Sequence, residues 1–212
     1  MTSPHVVFVR RLPWTLALAM VLWFLLRPLI DGAVTAGAEF LIRSYEVPKV
    51  TSLNVADHRA EIHRADYRSG SAIPTVALTG IHFNLIVLLA LCFALPRPAT
   101  RPRLERLFMC ICVLYVTQVA NLFFHVKTTY ALGLGEWSQQ NYSDAARNIY
   151  GFGRYFTDLP GRFAFPFLIW LGFNWEAVME MLSPDTTQKP DRSHRKKRSK
   201  LPKRKKRSRR SR

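Results

Sequence analysis

Nine polar or ionisable side chains stand within or at the rims of strongly apolar stretches: Arg27, Asp31, His82, Asn84, Gln118, Asn121, His125, Arg154 and Arg162. Ionisable groups at membrane depth are expensive, turn towards a bundle interior, and are functional candidates by default. Gln118, Asn121 and His125 are spaced three and four apart, so they share one helix face. Arg27 and Asp31 are four apart and can pair on theirs. A pair of histidines among carboxamides could bind a metal, shuttle a proton, or grip an extended peptide or a lipid headgroup. The plainer chemistry is interhelical hydrogen bonding that specifies packing, with the arginines anchored at headgroups. No Ser/His/Asp set, no His-Glu-x-x-His helix and no Gly-rich phosphate loop accompanies them. No catalytic residue, metal ligand or cofactor is therefore assigned.

The cysteines do not change this. Cys92, Cys110 and Cys112 all fall in apolar runs. In a helix, Cys110 and Cys112 point about 200° apart, so their sulfurs do not converge, and free Cys behaves as a small apolar residue. No cysteine lies near His82 or His125 to serve as an activated nucleophile. His58 and His63 are expected to be solvated loop residues, with a metal-ligand role as the minor alternative.

The elements that must position the nine are blocks of about 20 apolar residues, the length that crosses about 30 Å of hydrocarbon. The reading is an all-α polytopic membrane protein of about four transmembrane helices, near 12–30, 73–95, 107–126 and 159–180. Extracytoplasmic segments cover 32–72 and 127–158, and a polybasic tail covers 183–212. The loop between the second and third spans carries Arg97, Arg101, Arg103 and Arg106 against Glu105. Short basic loops stay in the cytoplasm. With Arg10-Arg11 and the tail, this places both termini inside a bacterial inner membrane, multi-pass, and the nine polar residues in the outer half. The first span is expected to be uncleaved, because 25–28 (Leu-Leu-Arg-Pro) is a poor small-residue cleavage site. The fourth apolar segment is short and has a re-entrant alternative.

Within 32–72, residues 33–43 have a helical pattern suited to lying along the membrane surface. Residues 47–55 and 60–67 read as a small β-hairpin turning near Ala56-Asp57-His58. A lone hairpin is marginal and must dock on something. Residues 127–160 are rich in Trp137, Tyr142, Tyr150, Tyr155 and glycine, an interfacial composition. A short helix over 144–150 is expected, capped by Ser143.

Of the 31 Lys and Arg residues, 15 fall in 189–212, so most of the +17 net charge belongs to the tail. Lys196, Lys197, Arg198, Lys203, Arg204, Lys205, Lys206, Arg207, Arg209 and Arg210 form its densest runs. With no apolar periodicity the tail cannot bury a core and is expected to be disordered. Beside an anionic leaflet each such charge contributes roughly 1 kcal/mol, and the same run would bind RNA phosphates.

Residues 81–84 (Ile-His-Phe-Asn) early in the second span, and 162–167 (Arg-Phe-Ala-Phe-Pro-Phe) near the end, sit in a four-span plan with an outer segment after the first span. In these respects the chain resembles small bacterial membrane proteins that accompany exosortases, the transpeptidase-like enzymes that process C-terminal sorting signals. The resemblance covers about 12–175 and leaves the tail outside. The cysteine-centred motif of an exosortase itself is absent. The resemblance therefore implies a non-catalytic accessory protein, whose partners would be the membrane, an exosortase or its sorted substrate, with anionic lipid or RNA on the tail. A small intramembrane enzyme or transporter using the outer histidine cluster is the alternative, and a tether working through the tail is another.

Overall fold

The computed structural model describes residues 4–66, 70, 72–96 and 101–182. The tail, with all ten of its basic candidates, and Arg97 in the basic loop lie outside the described residues. The chain forms α1 (Pro4–Tyr45), β1 (Thr51–Ala56), β2 (Arg59–Arg64), β3 (Thr75–Ala77), α2 (Leu78–His82), α3 (Asn84–Ala94), α4 (Arg101–Leu132), α5 (Glu136–Asn141) and α6 (Asp144–Leu182). It is a mostly helical bundle with a small sheet at one end.

The first span and the expected surface helix are one continuous helix. α1 runs for 42 residues, about 63 Å at 1.5 Å per residue. Its buried residues, Ala19, Trp23, Asp31, Val34, Thr35, Ala38 and Ile42, recur at helical spacing along its length. The lower part of this seam faces α3; the upper part carries the sheet. No break follows Asp31 because the seam never changes face. At Gly37 the helix meets α4 closely: a Cβ there would lie 2.4 Å from the Tyr115 hydroxyl oxygen. That hydroxyl donates to the Ala33 carbonyl at 3.0 Å.

The hairpin forms where expected, and its turn is Asp57-His58, both with positive φ (46° and 61°). Both φ values match the turn that suits the right-handed twist of two antiparallel strands. A third strand, β3, adds to β2 in antiparallel register, which gives the order β1-β2-β3. The hairpin is therefore not alone. Leu53, Ala60, Ile62 and Val76 bury against Val34, Ala38 and Ile42 of α1 and Leu122, Val126 and Tyr130 of α4.

β3 takes residues from the expected second span. In place of one helix over 73–95 the chain makes a strand, then the short helix α2 and the 11-residue α3, joined through Phe83, whose backbone stays helical (φ −56°, ψ −30°). Pro74 and the β-branched Thr75-Val76 pair favour the extended start. α3 is buried on almost every side, from Leu85 to Ala94. It ends as Leu95 turns extended (ψ 126°) ahead of Pro96, and Arg103 caps it by donating to the Cys92 carbonyl at 2.7 Å. Cys92 and Cys110 are buried in the apolar core, and no disulfide forms.

α4 extends the expected third span at both ends. α6 merges the expected short helix and the fourth segment into 39 residues, with a kink at Asn174. Ser143 precedes it and caps it, its Oγ accepting from the Ala146 amide at 3.3 Å. Two helices, α1 and α4, are long and apolar enough to cross a membrane, and Leu78–Ala94 is a shorter apolar helix. Between α4 and α6, Tyr130, Trp137, Tyr142 and Tyr150 stand in a ladder of ring contacts 6.0–6.5 Å apart. The Arg64 guanidinium lies 4.9 Å from both the Tyr130 and Trp137 rings, clamping the sheet to this shelf.

The two ends of the molecule differ. Pro4, Leu95, Pro96, Ala177 and Met181 gather at one end, where Arg106 pairs with Glu176 at 3.7 Å. The sheet and the aromatic shelf occupy the other.

Candidate functional site

The nine residues do not form one cluster: Asn84 and Gln118 stand where the core under the sheet meets the rest of the bundle, and the set divides into two carboxylate-centred networks and a carboxamide bridge. The first is built on Asp31, whose side chain is 1% exposed. α1 aims it at the junction between the hairpin tip and α2. There the Trp23 indole N–H donates to His82 Nδ1 at 2.9 Å. An indole nitrogen can only donate, so Nδ1 must accept and the His82 proton sits on Nε2. Nε2–H then donates to Asp31 Oδ1 at 2.6 Å. The second carboxylate oxygen accepts from His58 Nδ1 at 2.7 Å. The result is a chain Trp23–His82–Asp31–His58 leading from the bundle interior to the hairpin tip. Both ring nitrogens of His82 are occupied, whereas His58 is 44% exposed and its Nε2 is the open end of the chain. His58 holds the left-handed conformation unusual for a non-glycine residue. Its carbonyl accepts from the Leu78 amide at 3.1 Å, so the same residue ties the hairpin to α2 through both backbone and side chain.

Two expectations are corrected here. Asp31 does not pair with Arg27, because the two histidines fill its oxygens. Arg27 turns instead to the Thr79 hydroxyl and lies over the Trp23 ring, 5.5 Å from its centroid. His58 is not merely a solvated loop residue. His63 does stay in the sheet with a local partner, Glu61, at 3.1 Å.

The second network is built on Asp158 of α6. His125 Nε2–H donates to Asp158 Oδ1 at 2.9 Å, and Asn121 Nδ2 donates to the same oxygen at 3.4 Å. Arg154 and Arg162, one turn to either side, approach at 3.7 and 3.5 Å. The two histidines expected to form one cluster thus have separate carboxylates. Between the networks, Gln118 Nε2 donates to Asn84 Oδ1 at 2.8 Å, and Asn84 Nδ2 donates to the Gly161 carbonyl at 3.1 Å. This bridge binds α3, α4 and α6 together. Among the described residues no three His, Cys, Asp or Glu side chains stand as a metal-binding group.

Trp23, His58, Thr79 and Asp158 complete the networks and were not among the nine. Asp158 had a visible signal: 154, 158 and 162 follow each other at four-residue spacing, alternating in charge. His58 had none beyond its position at a turn.

The sequence profile described as exosortase H-associated membrane protein matches residues 2–177. The chain belongs to that family. The family is one of membrane proteins associated with the exosortase system, in agreement with the two long apolar helices. The match spans the sheet, every helix as far as Ala177, both carboxylate networks and the carboxamide bridge. The basic residues of 189–212 lie beyond it. No curated protein and no solved structure matches the chain.

Proposed function

We propose that the protein is a non-catalytic accessory subunit of an exosortase-type sorting system in a bacterial inner membrane. In this reading the bundle crosses the membrane four times, with α2 and α3 together (Leu78–Ala94) as the shortest crossing, and both termini are cytoplasmic. The sheet and the aromatic shelf then form a small outer platform beside the enzyme's site of action. Family membership over 2–177 carries the reading. Charge supports the orientation: Arg10, Arg11, Arg101, Arg103 and Arg106 all belong to the end opposite the sheet, as short cytoplasmic segments require. The polar groups support a positioning role, since His82, Asn84 and Gln118 spend their hydrogen bonds on neighbouring helices. The basic residues of 189–212 would meet anionic lipid or RNA on the inner side.

The test is co-purification of the tagged protein with the exosortase, beside processing of a sorted substrate in cells lacking the protein. Joint purification and loss of processing are expected, with processing restored by the wild-type chain. Normal processing in the deletion strain would remove the proposal. One observation favours a chemical reading instead: the exposed His58 imidazole, held by a buried carboxylate, has the form of a proton acceptor. His58→Gln distinguishes the two. Unchanged processing at normal abundance leaves the accessory role, whereas lost processing at normal abundance assigns His58 a direct part.

A further inference from the structure

We propose that Arg27 and Arg162 form a site for the phosphate headgroup of an anionic phospholipid, in the leaflet on the sheet side of the bundle. The proposal rests on the bundle being embedded in a membrane, but not on any exosortase partner. Arg27 comes from α1 and Arg162 from α6, two helices that flank α2 and α3 and barely touch each other. Both guanidinium groups reach consecutive residues of α2. Arg27 bonds the Thr79 hydroxyl. Arg162 Nη2 lies 3.1 Å from where a Cβ on Gly80 would stand, so the missing side chain makes room for it.

Protein carboxylates balance these charges only in part. Arg27 has no carboxylate partner among the described residues; a hydroxyl and the Trp23 ring are its contacts. Arg162 shares Asp158 with His125, Asn121 and Arg154, at the long end of ion-pair distance. The Nε atoms of both Arg27 and Arg162 are buried without a hydrogen-bond partner. An under-neutralised guanidinium at membrane depth is costly, and its planar fork of donors matches phosphate oxygens. Basic pockets between membrane helices bind lipid headgroups on this principle. Below the arginines, Phe83 is 42% exposed and stands edge-on to Trp23 at 6.4 Å, an apolar surface for an acyl chain. A charged fork above an exposed aromatic fits a phospholipid better than a free anion, which has nothing to place against Phe83.

The test uses the full chain purified in mild detergent, with phosphatidylglycerol as the probe and native mass spectrometry at high salt as the readout. High salt weakens purely electrostatic binding to the basic run of 189–212. Retained phosphatidylglycerol should fall about thirtyfold in Arg27→Gln/Arg162→Gln, the scale set by two lost cations. It should not change when Lys203, Arg204, Lys205, Lys206 and Arg207 are replaced by Gln. Because the double variant can fail to fold, the wild-type melting temperature is followed in parallel. It should rise with phosphatidylglycerol, and not with phosphatidylcholine or inorganic phosphate. Equal retention in the arginine variant, loss with the tail variant alone, or an equal shift from phosphatidylcholine would each overturn the site. A shift from inorganic phosphate as large as that from lipid would assign a free anion and overturn the lipid.

Discussion

Asp31 shows how one residue can decide the geometry of several elements. Buried at 1% exposure, it takes a proton donor on each carboxylate oxygen, from His82 on α2 and from His58 on the hairpin. Replacing it with Leu removes both acceptors and leaves two imidazole N–H groups facing an apolar side chain. A buried polar group deprived of its partner costs about 1–3 kcal/mol. Asp31→Leu should therefore lower the unfolding free energy by about 2–4 kcal/mol, measured by chemical unfolding in detergent. Trp23→Phe keeps the aromatic packing but strips His82 Nδ1 of its donor, and should cost about 1–2 kcal/mol in the same assay. An Asp31→Leu protein as stable as wild type would mean that the hydrogen-bond chain does not order the bundle.

A second residue-scale expectation concerns acid. Arg64, resting on the aromatic shelf, bonds Asp66 through two nitrogens at 2.8 Å and holds its carboxyl below the usual carboxylate range. A carboxylate whose folded-state value is depressed adds stability above its unfolded value, and that stability is lost as pH falls through the folded value. Asp66 is 49% exposed, so the contribution is below about 1 kcal/mol. Asp66→Asn should therefore shift the melting temperature slightly at neutral pH. The difference from wild type should disappear as pH falls below the ordinary carboxylate range and through the depressed folded-state value. A difference that persists there would mean the pair acts through something other than charge.

Among the elements, α1 and α4 come into close contact at Gly37. A methyl group there would meet the Tyr115 hydroxyl oxygen at 2.4 Å and Val119 Cγ2 at 2.8 Å. Gly37→Ala should push the helices apart at a cost of about 1–3 kcal/mol. Tyr115→Phe removes the atom in closest conflict, so the double variant should be more stable than the sum of the two single changes. A double-mutant cycle reads this as a favourable coupling of at least about 0.5 kcal/mol. Strict additivity would place the close approach elsewhere. The hairpin belongs to the same scale. Its alternation was legible over 47–67, but its partners were not: β3 came from a stretch whose hydrophobicity reads as helix, because an apolar run does not state which backbone groups will be satisfied by a neighbour.

For the molecule as a whole, topology is the open consequence of its two unlike ends. In a background without native cysteines, Lys49→Cys beside the sheet should react with an impermeant maleimide from outside the cell. Glu105→Cys at the basic end should react only after permeabilisation. Reaction of Glu105→Cys from outside would invert the arrangement. Removing 189–212 should leave the melting temperature of 4–182 unchanged, since that segment has almost no apolar surface to contribute to a core. A lowered melting temperature would tie the tail to the body.

Composition and periodicity alone determined the membrane class, the third apolar helix and the hairpin. These depend on local hydrophobicity and on residue spacing, which a linear chain carries. Residues 81–84 and 162–167, together with the expected four-span plan, carried the family resemblance. Tertiary structure decided which polar groups meet. Asp31 could pair with Arg27 on its own helix, yet two histidines distant in sequence reach it first, because the hairpin tip and α2 both close over the same point of α1. Asp158 gathers His125, Arg154 and Arg162 because α4 and α6 pack side by side along their length. Tertiary structure also joined 12–30 to 33–43 and divided 73–95. A helix continues wherever its buried face continues, and a strand forms wherever an edge waits for one; both depend on neighbours that sequence spacing does not name.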